Sequence, residues 1–501
     1  MRRKGMMAIL TAVVLTLQMV LVGCSGSGGS GNASSSPEAS SSQPAGTQAA
    51  SGDSQKEVTL KLFSAHGQFS KGNFGYKEVE EFMKAHPNIK VEVTYANGKQ
   101  WVDTFQALAA TNDLPDVFQP TVFTLSELLQ NKWVQPLDGL VGSDFKARFP
   151  EGSFLQGVNV DDGKIYSFPR IVAKKGRVLV YNKDIMQAAG LDPEKPPTTL
   201  DELYQMAKQV KEKTGTAGLI MPMKESDGFL DMLAFASAYE PTLDKGFDLK
   251  EGRYAFDSPA VVKVVEFFQK MNKEGLIHPN SFTLGLTDAQ GTFANKQAAF
   301  TFNQHWIVRV NEFELNKVQD FGIAEMPAPE AGMKFLQLGS SADFNAYISA
   351  NTKHPKEAGM LVDWLSSKEY YTRQMKEDYL LAPIPELYAD AANFPKPELK
   401  DMAEAFVNTV IEKPVPESKP EATEVRKLEA AIAKPKPEWW ELIQAYMLGK
   451  GDLEEGLKKY NDAMNARFAQ ALEQAKGKGL QVTADDFKFP SFDGTKDYKN
   501  D

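Results

Sequence analysis

The chain is nearly devoid of cysteine: Cys24 is the single one in 501 residues. No disulfide can form within it, and no cysteine-built metal cluster. Histidine is almost as scarce, with five residues at 66, 86, 278, 305 and 354. His86, His278 and His354 stand directly before proline and read as turn residues. No His-Glu-x-x-His, Gly-x-Ser-x-Gly or phosphate-cradling glycine loop occurs, so zinc-protease, hydrolase and nucleotide readings lose their strongest signatures. Blocks of like charge are also missing. The net charge of −10 is dispersed, and an acidic body without clustered cations is a poor partner for nucleic acid, whose binding starts from phosphate neutralisation. Asp161-Asp162-Gly163 opens like a calcium loop but lacks the later ligands, and a tight hairpin turn explains it better. Carboxylate pairs such as Glu80-Glu81 and Glu454-Glu455 fall on polar helix faces. No catalytic residue, metal or cofactor is expected.

What is there begins with an export signal. Arg2, Arg3 and Lys4 precede an apolar run from Met6 to Val22, interrupted by Thr11, Thr16 and Gln18, which reads as a signal h-region rather than a spanning helix. The run ends in Leu21-Val22-Gly23-Cys24. This resembles the bacterial lipobox, which implies removal of residues 1–23, lipidation of Cys24 and anchoring on the extracytoplasmic face of the cell membrane. Residues 24–56 are mostly Ser, Gly, Ala and Pro and are expected to form a disordered tether. Residues 491–501 are expected to be a flexible tail.

The remainder is long enough to fill two cores. Val58, Leu60 and Leu62 alternate with polar residues, as do Ile89, Val91 and Val93, which is the period of strands. Val79, Phe82 and Met83 recur between them at helical spacing, and His86-Pro87-Asn88 breaks that helix. The three pieces form a βαβ unit and favour parallel pairing. Trp101, Phe105 and Leu108 line a further helix, and Val178 to Tyr181 reads as a strand. Thr199-Leu200-Asp201-Glu202 has the form of a capping box, and Ser258-Pro259 that of a helix start, with Val261, Val265 and Phe268 on its buried face. Alternation of this kind argues for α/β architecture with more than one sheet.

Several segments together resemble the extracellular solute-binding proteins of bacterial ABC importers, the family of maltose-binding protein and related sugar-binding lipoproteins. They are His86-Pro87-Asn88-Ile89-Lys90-Val91, Leu114-Pro115-Asp116-Val117, Gly163 to Pro169, Tyr181-Asn182-Lys183, Ala189-Gly190-Leu191, Pro196-Pro197-Thr198, Phe293 to Phe300 ending at Trp306, Tyr347-Ile348-Ser349, and Leu448-Gly449-Lys450. Each is weak alone, and their order over residues 57–465 makes the match specific. The resemblance implies a two-lobed periplasmic-binding-protein fold with three interlobe crossover segments, near Arg170 to Lys175, near Ser341 to Asn345 and within Pro383 to Pro397. It places residues 57–170 and 345–395 in the N-terminal lobe, and residues 171–344 and 396–490 in the C-terminal lobe. The implied function is capture of a carbohydrate, an oligosaccharide above all, in the interlobe cleft by a monomer that delivers it to permease subunits in the membrane.

Sugars offer apolar C–H faces and polar rims, so stacking aromatics with a few fixed polar groups are the expected pocket chemistry. The resemblance points to Trp306 as a stacking ring, although Gln304-His305 replaces the family's Gly-Pro before it. Either Trp439 or Trp440 is expected to face the cleft. Loops after strands supply the other candidates: Phe63, His66 and Gln68, then Phe118 and Gln119, then Tyr166 and Arg170, with Asn303 and Asp343 on the second lobe's side. Two readings from other classes stay open, a secreted carbohydrate-active enzyme and a sensor that presents its ligand to a membrane receptor.

Overall fold

A computed structural model describes residues 57–96, 98–120, 123–315, 320–339 and 346–499. Cys24, the export signal and the tether lie outside them, and so does Asp343. Alternating apolar residues in Val58–Ser64 and Ile89–Tyr95 produce two parallel strands joined by the helix Phe74–Ala85, whose Val79 and Phe82 are fully buried beneath the sheet. The first sheet runs in the order Ile89–Tyr95, Val58–Ser64, Val117–Gln119, Tyr347–Ser349, Val134–Gln135. Tyr347–Ser349, more than 200 residues away in the chain from Val134–Gln135 yet paired with it, is the strand that returns from the second lobe.

The second sheet runs Phe321–Ala324, Arg177–Asn182, Ala298–Gln304, Ala217–Ile220. Helices Leu200–Thr214, Asp227–Tyr239 and Pro259–Lys273 cover it. Ser258 Oγ accepts from Val261 N at 3.3 Å and caps the last of these. At the start of Leu200–Thr214 the expected box is modified. Thr199 Oγ1 accepts from Glu202 N, but the Glu202 carboxylate reaches one residue further back and accepts from Thr198 N at 2.7 Å. Asp162 and Gly163 both have positive φ, 45° and 72°, and turn the hairpin between Val160–Asp161 and Lys164–Ile165, which is the twist a two-residue β-turn requires.

The chain passes between these lobes at residues 170–176 and at residues 379–396, and strands Gln337–Gly339 and Tyr347–Ser349 belong to different sheets. The segment before the last crossing belongs to the first lobe, because Arg373 clamps Glu78 with bonds of 2.7 and 2.6 Å. Tyr379 already stacks on Phe313 of the second lobe. Helix Pro397–Thr409 then packs on the second sheet, and Pro420–Ala431, Trp439–Met447 and Leu453–Gly477 complete that lobe. The first and last crossings are bonded to each other, Val172 N donating to Leu381 O at 3.0 Å. Residues 491–499 differ from the expected flexible tail. Phe492 is buried, Asp497 pairs with Lys174 of the first crossing, and Tyr498 N donates to Glu412 O, since apolar Phe492 and Tyr498 have a surface to cover there. Among the described residues no helix is long and apolar enough to cross a membrane.

Away from the crossings the lobes meet again. Lys427 Nζ donates to Ser126 Oγ at 3.1 Å, and Gln130 Nε2 to Glu424 Oε2 at 3.2 Å. Gly157, at φ +76°, lies so near the second lobe that a Cβ there would stand 2.7 Å from the carbonyl oxygens of Glu417 and Ser418. Gly157→Ala should therefore hold the lobes apart, and small-angle scattering should report a larger radius of gyration for the variant. An unchanged profile would show that this approach does not limit closure.

Two buried carboxylates stand out. Asp231 is fully buried, and Arg177 reaches it at 2.7 Å without making a hydrogen bond to either oxygen. Burial therefore outweighs the guanidinium and pushes its pKa up to about 6. Burial does the same to Asp378, also about 6, against the opposing pull of Arg309. A carboxyl whose folded value lies above its unfolded one binds more protons when native, so stability falls as pH rises from about 4 to 6. Asp231→Asn should remove part of that slope in urea unfolding measured across this range, and Asp378 should retain the rest. An unaltered slope would show that Asp231 does not titrate there.

Candidate ligand-binding site

The crossings at 170–176 and 379–396 and the second contact at Gly157 leave a cavity of about 480 Å³ between the lobes. The first lobe contributes His66, Pro120, Phe123, Thr124, Gly157, Arg170 and Tyr347 to its walls. The second contributes Asp244, Phe247, Lys413, Pro416, Glu417 and Arg426. Local chemistry explains each wall. His66 follows strand Val58–Ser64, at the carboxyl end where ligands of open α/β sheets sit. Tyr347 opens the returning strand, stacks on Phe118 at 5.8 Å, and its phenol is pushed well above its usual value by burial, so it stays neutral. Lys413-Pro414-Val415-Pro416 leaves strand Val410–Glu412 as an extended stretch, because proline fixes φ and holds the preceding residue out of the helical region.

The charged wall groups are individually fixed. Asp244 and Lys413 form an ion pair in which both side chains are largely buried. Arg426 donates to Glu429 at 2.9 Å, approaches Glu417 at 3.4 Å, and lies over Phe247, Phe468 and Phe487 at 4.5, 5.1 and 4.9 Å from the ring centroids. Packing of this kind orients the groups before any ligand arrives, which lowers the ordering cost of binding. A larger depression of about 940 Å³ exists, but its walls, among them His86, Arg148, Asp363 and Arg373, come from the first lobe and the last crossing alone. Closing the lobes would not cover it.

Of the residues singled out from sequence, His66 and Arg170 are brought together in the cavity. The other candidates among the described residues lie elsewhere. Phe63 is buried in the first lobe's core, stacked on Trp101 at 5.2 Å. Phe118 packs on Phe105 in the same cluster, which also holds Tyr166, and Gln119 is fully buried at the end of its strand. Gln68 is buried and binds Tyr370 Oη at 2.9 Å and, more weakly, Arg170 at 3.5 Å, so it supports a wall residue from behind. Asn303 is buried in the second sheet, accepting from Gln290 and from Gln304 N. Trp306 is half-buried against the His305 ring at 4.6 Å and does not line the cavity. Trp439 is buried against Phe256, and Trp440 packs near Phe229. Both belong to the second lobe's core cluster rather than the cavity wall, because the apolar face of helix Trp439–Met447 turns toward Pro259–Lys273.

Wall residues that sequence reasoning passed over are Phe123, Gly157, Asp244, Phe247, Tyr347, Lys413, Glu417 and Arg426. Lys245-Gly246 carried a hairpin signal that points to the Asp244 turn, and Pro414 and Pro416 marked an irregular stretch. Gly157 and Arg426 carried no local signal.

The chain is similar to known proteins in sequence and in fold. The chain is 28% identical over 239 residues to the sn-glycerol-3-phosphate-binding periplasmic protein UgpB of Escherichia coli (strain K12), covering 45% of this chain and 52% of that one. It is 29% identical over 207 residues to the protein of the same name from Salmonella typhimurium, covering 39% and 45%. The chain thus spans about half the length of the curated relatives it matches. Among solved structures, the GacH receptor of Streptomyces glaucescens, studied unliganded and with acarbose, superposes with a TM-score of 0.61 at 19% identity over 84% of this chain and 98% of that one. Maltose-bound MalE3 of T. maritima gives 0.61 at 21% identity, over 81% and 99%. At such identities these two establish the two-lobed fold. The model of the bacterial extracellular solute-binding protein family matches residues 67–372, and the chain belongs to that family.

Proposed function

We propose that this protein captures an oligosaccharide or sugar-like solute in its interlobe cavity and hands it to the permease subunits of an ABC importer. The observation that carries this reading is the cavity with walls drawn from both lobes. Closure around a guest buries it from water and creates a shape that a membrane partner can tell from the open one. The guest favours closure only by its greater affinity for the closed form. Phe123, Phe247 and Tyr347 supply faces for sugar rings, and His66 and Arg170 supply polar contacts. The ligands named for structurally similar proteins, acarbose and maltose, support the carbohydrate class. Lipidation at Cys24 would keep the protein beside its permease on the outer face of the membrane, where the tether lets it act as a monomer at high local concentration.

A panel of oligosaccharides in a thermal-shift assay tests the capture. A true ligand at one hundred times its dissociation constant should stabilise the protein by about 2.7 kcal/mol, and the panel should remain uncleaved on prolonged incubation. Cleavage would overturn a binding role in favour of turnover. His66→Ala should weaken the best ligand by roughly tenfold, about one polar contact, with little change in the unliganded melting temperature. Unchanged affinity would take His66 out of the site. For the anchor, Cys24→Ala should move the protein from the membrane fraction to the soluble one, and continued membrane retention would dismiss lipidation.

A further inference from the structure

Beside the main cavity, under the first crossing, lies a second of about 250 Å³ that shares Asp244 as a wall residue. Its apolar side is Leu230, Leu233 and Leu243, and its charged side is basic, with Lys175, Arg177 and Lys245 against the single carboxylate Asp244. That carboxylate is already held by Lys413, and Arg177 is turned toward the buried Asp231. Lys245 makes no ion pair among the described residues; the carboxylate of Asp244 attracts its charge, and Lys413 and Arg177 repel it. Its side chain is exposed at the wall of this cavity, and partial desolvation still lowers its hold on the proton.

The backbone deepens the case. Lys245 and Gly246, with φ of +50° and +88°, form the two-residue turn between Leu243–Asp244 and Phe247–Asp248. Such a turn favours Asn or Gly at its first position, and a lysine there is strained. Strain of this kind gathers at binding sites, where the surrounding fold over-determines it. A lysine without an ion pair, beside cations that have theirs, gains a counter-charge when an anion enters. The chain as a whole carries a net charge of −10, so the basic character belongs to this place and not to the surface at large.

We propose that the solute carried in the cleft bears an anionic group, the carboxylate or phosphate of an acidic sugar, and that this group sits against Lys245 in the second cavity. The inference rests on the interlobe cavity being the solute site. Lys245 takes the charge, Asp244 and Lys413 form the rail between the two cavities, and the leucine wall covers the apolar face of the charged ring.

Isothermal titration of the folded protein with trigalacturonate, glucose 6-phosphate and neutral maltotriose tests it, at low salt and at 0.3 M salt. One of the two acidic probes should bind at least tenfold more tightly than maltotriose, with the advantage shrinking in salt, and the one that binds identifies the group as carboxylate or phosphate. Lys245→Asn, which suits the turn, should lose that preference without lowering the melting temperature, and Lys245→Arg should keep it. Maltotriose binding as tightly as both acids, or Lys245→Asn retaining the preference, would overturn the inference and leave the capture of sugars standing. Binding of none of the three probes by protein shown to be folded would overturn the inference and count against carbohydrate capture as well.

Discussion

The two lobes are held to each other where the chain crosses between them, and the hydrogen bond from Val172 N to Leu381 O ties the first crossing to the last. Ile171, Leu380, Leu381, Ala382 and Ile384 are all buried around it. The main hydrophobic cluster runs from the first sheet through Leu381, Ala382 and Ile384 to the second. A packed interior transmits displacement instead of absorbing it, which makes this apolar seam a stiff connection between the lobes. Arg309 and Asp378 reinforce it from either side, with Arg309 also held by Glu314.

The opposite side of the cleft is built otherwise. Its contacts are a lysine to a serine and a glutamine to a glutamate, between exposed or half-exposed side chains. Polar contacts of this sort contribute little net stability in water, typically ~1 kcal/mol or less. The contacts across this side of the cleft are therefore weak beside those at the crossings. Apolar burial joins the lobes at the crossings, and weak polar contact joins them at the rim.

The architecture was legible because its signals are local. Alternation at Val58 to Leu62 and Ile89 to Val93, the break at His86-Pro87, and the cap at Ser258 act within a few residues of where they are read. The walls of the cavity are another matter. Phe63 and Phe118 end their strands as binding residues of this fold would, but an aromatic ring on a strand faces either cleft or core according to register and the helix beneath, and here Trp101 and Phe105 draw both rings inward. Trp439 and Trp440 belong to a helix whose apolar face is claimed by the second lobe's own core. Arg426 and Asp244 became neighbours of the cavity through long-range packing, which no spacing in the sequence records.

The approach of Gly157 to the carbonyls of Glu417 and Ser418 is made by main chain on both sides. No side chain takes part in this meeting of the two lobes. Substitutions among the side chains that line the cavity leave it untouched, so the chemistry of the walls and the spacing of the lobes at this point depend on different atoms of the chain.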